Sequence, residues 1–532
     1  VLVVVVIRQQ PPAPIGLDAP PEQFSAGRAV AILEEMQADG VPHSLGTEAS
    51  ERVQGRIVAA FEAMGYEVDV QETVACRRES GAYAACAPVQ NIVTRLDGQE
   101  DGPALMLMAH HDSVRAGPGA ADDSSSVAEI IEIARVLREH GPYRKPIVFL
   151  ITDAEEVGLL GAQGFVDDHP WAQDVAVALN LEARGTRGLG YMFETSTDNA
   201  WLIDAYASSV HRPASSSLHY EVYRILPNDT DLTVTRKAGL AGLNFAFIDR
   251  ASHYHTPLDR FENLDQRSVQ HQGESVLAVA QALAEVDLSA PPSGDAAWTD
   301  LLGFAVVRWP ASWTIPLSFL GLILLLVVSV RVIRRTALGV GGLLVGLLAA
   351  LLTLVLTILL GLGLSWLISQ VAGEPSPWTA YPLATRVAVW TGALLCGGLV
   401  SSALARRAGA WGLALGAWLF WALLALILSF TVPGVSILLL LPVFVAGVLF
   451  AVVAFTRLAG SDAARTVAFV TPALVGGALW LPLALGFGVK NRADVDFLKD
   501  KADIAFIGTQ TIRLLYSGGV EAVGQFIKSL TR

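Results

Sequence analysis

Apolar positions are distributed very differently in the two parts of this chain. Up to about Asp287 they come in short runs separated by polar stretches. From Thr314 onwards they merge into long tracts rich in Leu, Val, Ala and Gly. In the first part, unbroken apolar runs at 104–108, 146–151, 175–179 and 243–248 have the length and flanks of strands buried on both faces. Residues 65–70 and 89–93 read as two more strands. Residues 25–40, 47–65 and 125–140 carry helical periodicity, the last with Val127, Ile130, Ile131, Ala134 and Leu137 along one stripe. This alternation predicts an α/β domain over 23–287: a mixed, mostly parallel sheet with helices on both faces. Six tracts then follow, at 314–330, 337–371, 384–405, 409–430, 434–455 and 467–489. Each suits a bilayer core, which takes about 20 apolar residues, so an all-α polytopic transmembrane domain is expected over 314–489. Pro-rich 8–22 and the stretch 288–313 read as linkers, and 490–532 as a C-terminal segment. Val1–Ile7 reads as the tail of a further spanning helix.

Composition sharpens this division. A chain of 532 residues that is 52% hydrophobic and only 16% charged is not one ordinary soluble domain. A net charge of −13, with no basic aromatic stripe, excludes nucleic acid as a partner and leaves the lipid bilayer. The apolar tracts hold few ionisable residues, so they read as an anchor or platform rather than a transport path. Arg331, Arg334, Arg335, Arg406, Arg407, Arg457 and Arg465 cluster after alternate tracts, against Arg386, Lys490 and Arg492 on the other set. The positive-inside rule assigns the first set to the cytoplasm and the α/β domain to the opposite side: periplasm or exterior in a bacterium, lumen in a eukaryote. Cys76 and Cys86 lie in that exported part, close enough in sequence to pair, while Cys396 falls within a tract.

The chemistry-bearing residues sit where the predicted strands end. His110 and Asp112 follow the first central run, Asp122 lies just before the 125–140 helix, Glu155 and Glu156 follow the second run, Glu182 ends the third, and His255 follows the fourth. In an open α/β sheet ligands bind outside the carboxyl ends of the strands. Without thiolates, zinc takes His nitrogen and carboxylate oxygen. The set His110, Asp122, Glu156, Glu182 and His255 is too large for one tetrahedral zinc that keeps a water position. It suits two metals about 3.5–4 Å apart sharing a carboxylate. Asp112, two residues after His110 on an extended chain, is placed to take the second ring proton of that histidine. Glu155, beside a ligand but on another bearing, is the natural general base. Taken singly, each of these residues reads as a cap, a turn or a solvated charge; Asp123 reads as a helix N-cap, and the remaining histidines have no matched partners.

These segments, in order, resemble the aminopeptidase Y family of co-catalytic zinc exopeptidases, metallopeptidase family twenty-eight, and within it the membrane-anchored branch. The residues that carry the likeness are His110-x-Asp112, Gly119-Ala120-x-Asp122-Asp123, Glu155-Glu156 followed by Gly158-Leu159-x-Gly161, Asn180-Leu181-Glu182, and His255-Thr256. Glu182 stands where soluble members commonly carry Asp. The resemblance implies a phosphorylase/hydrolase-like zinc exopeptidase fold with two zinc ions. It pairs His255 with Glu156 on one, His110 with Glu182 on the other, and makes Asp122 the bridge. It makes Glu155 the base and Asp112 the orienting residue, joins Asp122 to Asp123 by a cis peptide, and sets Asp229 or Asp231 toward the substrate side. The expected activity is removal of N-terminal residues from peptides. The rival expectations are a single-zinc glutaminyl cyclase-like acyltransferase and a non-catalytic membrane scaffold.

Overall fold

The computed structural model describes residues 7–78, 84–226, 228–373, 382–456, 458 and 461–486. The expected helix remnant at 1–7 (apart from Ile7) and the 490–532 segment lie outside the described residues. The chain forms two compact units, one of residues 1–336 with 418–487 and the other of 337–417 with 488–532.

In the first unit, α1 (Ala26–Met36) and α2 (Glu48–Ala63) precede a hairpin of β1 (Val68–Arg78) and β2 (Ala84–Leu96). Each helix starts where a hydroxyl side chain, Ser25 or Thr47, accepts a backbone N–H of the first turn. A disulfide joins Cys76 and Cys86, which face each other across the hairpin. Next come β3 (Ala104–His110), α3 (Ser126–His140), β4 (Ile147–Thr152), α4 (Leu160–Asp168), β5 (Val175–Ala183) and β6 (Arg187–Thr195). Then follow α5 (Ala200–Ser209), α6 (Ser217–Tyr223), α7 (Asp231–Lys237), β7 (Ala241–Asp249) and α8 (Gln266–Ala284).

The strands make one seven-stranded sheet in the order β1-β2-β4-β3-β5-β7-β6. The central strands β4, β3, β5 and β7 run parallel, and β1, β2 and β6 extend the edges antiparallel. Every residue of β3 and β4 is buried, as strands covered on both faces require. The stripe Val127, Ile130, Ile131, Ala134 and Leu137 of α3 joins the larger core on one face of the sheet, and Phe165 of α4 the smaller core on the other. The chain leaves β3 for β4 on one side and returns to β5 on the other. The sheet order therefore reverses at β3, and a crevice opens at its carboxyl end.

Residues 288–313, expected as a linker, contain a second antiparallel pair, β8 (Ala296–Asp300) and β9 (Val306–Pro310). Trp298 of β8 is buried in the main core and donates its indole N–H to Ser215 Oγ at 2.8 Å. The stretch is thus partly folded structure. Its two short strands were masked in the sequence by the Pro- and Gly-rich residues before them.

Among the described residues four helices are long and apolar enough to cross a membrane: α9 (Thr314–Arg335), α10 (Val340–Ala372), α11 (Pro382–Thr431) and α12 (Pro433–Phe455). A further apolar helix, α13 (Asp462–Gly486), follows. The third and fourth sequence tracts fall together in α11, which breaks at Gly409, where φ is 65° and ψ is 169°. Within the first unit, α12 meets the α/β domain directly. Ile437 and Leu438 pack with Leu218 of α6 and Ala297 of β8, and Ser217 Oγ donates to Gly434 O at 2.7 Å. Within the second unit, α10 and α11 approach through glycines. A methyl group at Gly346 would lie 1.8 Å from Gly412 O, and one at Gly416 would lie 2.4 Å from the Gly346 carbonyl carbon.

Candidate metal centre

Register decides which side chains meet. His110, the last residue of β3, pairs with Thr152, the last of β4, so the chain beyond β4 turns over the same edge. Met108 pairs with Asn180, which sets Glu182 beside His110 at the end of β5. Two left-handed residues shape the loops. Ala154 (φ 58°) turns the chain so that Glu155 and Glu156 follow β4 back toward the crevice, and His255 itself has φ 57°. Such conformations cost of order 1 kcal/mol or more and cluster at functional sites.

The five expected ligands come together as two groups that share one residue. His110, Asp122 and Glu182 form one; Asp122, Glu156 and His255 form the other. Within each group the candidate donor atoms lie within 4.8 Å of one another. His110 Nε2 is 3.4 Å from Asp122 Oδ1 and 4.0 Å from Glu182 Oε2. His255 Nε2 is 3.1 Å from both Asp122 Oδ2 and Glu156 Oε1. Asp122 lies between the histidines with one oxygen toward each. The peptide bond from Asp122 to Asp123 is cis.

The other ring nitrogen of His110 faces its own loop. Nδ1 is 2.9 Å from the backbone oxygen of Asp112 and 3.4 Å from its carboxylate. A carbonyl accepts only, so Nδ1 carries a proton. Burial opposes a charged ring, but hydrogen bonds to Asp112 and Asp122 raise its proton affinity, and Nε2 is the atom turned toward the carboxylates, where a cation would satisfy all of them. The donor chemistry, two imidazoles and three carboxylates, fits zinc.

Asp112 does more than orient a ring. Its oxygens accept the backbone N–H groups of Glu155 at 2.9 Å and Glu156 at 3.3 Å, fixing both glutamates to the end of β3. Asp123 accepts the His110 N–H at 3.3 Å, while Ser125, at the N-cap of α3, makes no side-chain cap. Asn180 donates to Glu182 Oε1 at 3.2 Å and to Asn244 Oδ1 at 3.0 Å, which explains an Asn two residues before that glutamate on the same strand face. Asp259 was not anticipated. It accepts the N–H groups of Ala121 at 2.8 Å and Asp122 at 3.1 Å, holding the bridging loop from below. Of the two aspartates expected toward the substrate side, Asp231 is buried and accepts from Thr152 Oγ1 at 2.5 Å, and Asp229 pairs with Arg77 at 3.0 Å.

The electrostatics follow from crowding. Burial, then the charges of Glu182 and Glu156, pushes the Glu155 carboxyl well above the usual range. Burial opposes a charged His255, but Glu156 and Asp122 outweigh it and raise the ring to about 10. Burial and the neighbouring Asp122 carry Asp259 up to about 7. Glu155 is in contact with solvent although protein surrounds it. A cavity of about 400 Å³ lies beside the centre, lined by Thr47, Val74, Gln90, His111 and Asp153, and contains none of the five.

Comparison with known proteins gives the following. Residues 91–280 match the family model described as peptidase family M28. Over 232 residues the chain is 36% identical to endoplasmic reticulum metallopeptidase 1 of Rattus norvegicus, a match covering 42% of this chain and 26% of the rat protein. Over 267 residues it is 32% identical to the vacuolar membrane protease of Candida albicans, covering 49% and 30%. The chain thus spans about a quarter to a third of the length of these relatives. Among solved structures, a Zn-dependent exopeptidase from Parabacteroides distasonis aligns with TM-score 0.40 and 21% identity, covering 49% of this chain and 98% of that one. A glutaminyl cyclase from Porphyromonas gingivalis aligns with TM-score 0.39 and 22% identity, covering 48% and 98%.

Proposed function

We propose, on the premise that residues 91–280 belong to peptidase family M28, that this chain is a membrane-bound di-zinc aminopeptidase. The observation that carries the reading is the pair of ligand groups sharing Asp122. Its relatives are named a metallopeptidase and a membrane protease, which agrees with a peptide substrate and a bilayer anchor.

His110 and Glu182 would hold one zinc, His255 and Glu156 the other, and Asp122 both. Bound there, the pair supplies Lewis-acid polarisation of the scissile carbonyl and a water of lowered pKa. Glu155 takes the proton of that water and returns it to the leaving amine. It is suited to both steps because burial raises its proton affinity above that of an ordinary carboxylate. Asp112 keeps Glu155 in place through its peptide N–H. Asn180 and Asp259 set Glu182 and the Asp122 loop, as groups behind metal ligands do. A free substrate amine is a cation, and the carboxylates around the pair favour it. The arginine distribution favours the non-cytoplasmic side for the peptidase domain, and six spans follow if α11 crosses twice about its break at Gly409 and α13 crosses once.

The test uses the full chain in detergent micelles, loaded with zinc and offered peptides with free or acetylated amino termini. Two zinc ions per chain and cleavage of free termini only are expected. Glu155→Gln should retain both metals and lose roughly 10²–10⁴-fold in kcat. One zinc with cyclisation of N-terminal glutamine, or full metal with no turnover of any peptide, would overturn the reading.

A further inference from the structure

One cation beside the metal centre has no role in the chemistry above. Arg184 lies just past the end of β5, two residues after Glu182. Its backbone N–H is tied to Phe247 O at 2.9 Å. Its guanidinium lies 5.2 Å from the centroid of the Tyr254 ring, which in turn stacks on His255 with ring centroids 3.7 Å apart. The Nη2 atom of Arg184 is buried and makes no hydrogen bond. The hydroxyl of Tyr223, at the end of α6, is likewise buried without a partner. The Tyr223 ring meets Phe193 edge-on at 4.8 Å. Burial, with Glu194 and Glu182 nearby, raises the phenol well above its ordinary range, and the charge of Arg184 opposes that rise.

Two buried donors without acceptors are costly, each by about 1–3 kcal/mol. The neighbouring carboxylates are already engaged. Glu194 is held by Arg236 and by Asn244, Asp229 by Arg77, and Glu182 by Asn180 while it faces His110. Among the described residues neither donor meets an acceptor, which leaves both open to one that a ligand brings. A guanidinium fork with a phenol beside it is matched by a carboxylate, which offers several lone pairs in one plane.

We infer that Arg184 and Tyr223 form a subsite for a carboxylate of the substrate, next to the reacting centre. The carboxylate is either the C-terminus of a short peptide or an Asp or Glu side chain. The inference rests on the peptidase reading and extends it to substrate class: this face of an otherwise acidic site selects anionic peptides. Arg184 and Tyr223 are specificity residues and take no part in bond making. The competing role for Arg184 is a purely structural one, a plate that holds Tyr254 against His255.

The experiment measures kcat and KM of the zinc-loaded full chain on matched pairs: Ala-Ala against Ala-Ala amide, Ala-Asp amide against Ala-Asn amide, and Asp-Ala amide against Asn-Ala amide. A preference of about 10- to 100-fold for the anionic member of at least one pair is expected, carried mainly by KM. The first pair reports a terminal carboxylate and the other two a side chain. Arg184→Met should bring that ratio toward unity, Arg184→Lys should restore part of it, and Tyr223→Phe should lower it a few-fold. If wild type shows no preference in any pair, or Arg184→Met slows both members of each pair equally, the subsite is overturned while the peptidase reading stands. If wild type cleaves none of the peptides, the peptidase reading fails and the subsite with it.

Discussion

Single residues in this protein act mostly through what they hold. Asp112 grips two backbone N–H groups of the loop that carries Glu155 and Glu156. His271 shows the same economy away from the metal centre. It is buried in α8, its Nδ1 accepts the Gly190 N–H at 3.0 Å, and its Nε2 donates to Arg212 O at 2.9 Å. Only the neutral ring can do both, and burial lowers its pKa to about 4. The folded-state pKa is therefore below the unfolded value of 6.5. The stability it contributes is present above that value and is lost as pH falls through about 4. The loss amounts to about 3 kcal/mol across that window. Thermal unfolding of the full chain in detergent should show a steeper fall between pH 6.5 and 4 for wild type than for His271→Gln, and equal slopes would refute this. The five candidate ligands were legible because they follow apolar strand runs or, for Asp122, open the helix after one, and strand ends are where an α/β sheet binds. Arg184, Tyr223 and Asp259 were not. In sequence they are an arginine after a strand, a tyrosine in a helix and an aspartate in a turn. Only the folded chain shows which acceptors around Arg184 are taken and which backbone groups Asp259 reaches.

At the scale of elements, buried strands were the clearest feature, since continuous apolar runs leave few alternatives. The antiparallel β1–β2 edge was readable only as two strands; the sequence between them carries no Asn-Gly or Asp-Gly signal to announce their pairing. The β8–β9 pair was hidden because it is short and borrows its burial from α6 and the main core. The membrane helices carry a finer pattern within their apolar tracts. Gly342 and Gly346 on α10 oppose Gly412 and Gly416 on α11, four residues apart in each case. In lipid, where apolar surface gains nothing by association, helices pair through such small residues that let backbones touch. Gly346→Leu would thrust a branched side chain into the α11 backbone. It should separate the two helices, which a disulfide cross-linking scan between them would register as lost or shifted pairs. Gly361→Leu, on the same helix with open space around it, should leave cross-linking as in wild type.

For the whole molecule, the two compositional regimes of the sequence correspond to two kinds of solvent, water around the sheet and lipid around the helices. The boundary between them is less clean than composition implies. The start of α12 is the floor on which α6 rests, through Ser217, Leu218, Ala297, Ile437 and Leu438. α6 is also the element that ends in Tyr223. An α/β domain cut free before residue 311 would keep its sheet but bare the underside of α6, β8 and β9, including Leu218, Ala297 and Trp309. Apolar faces of that kind drive self-association. Size-exclusion chromatography of such a fragment should show concentration-dependent oligomers, and Leu218→Ser should reduce them; a monodisperse monomer at all concentrations would contradict this.

The Ser217–Gly434 contact therefore makes an apolar helix part of the foundations of the α/β domain. A helix whose depth follows bilayer thickness bears directly on α6 and, through it, on Tyr223 at its end. Moving this protein between thin and thick membranes would press on α6 as a thumb presses on a lever, and the lipid becomes a variable of the domain's packing rather than its backdrop.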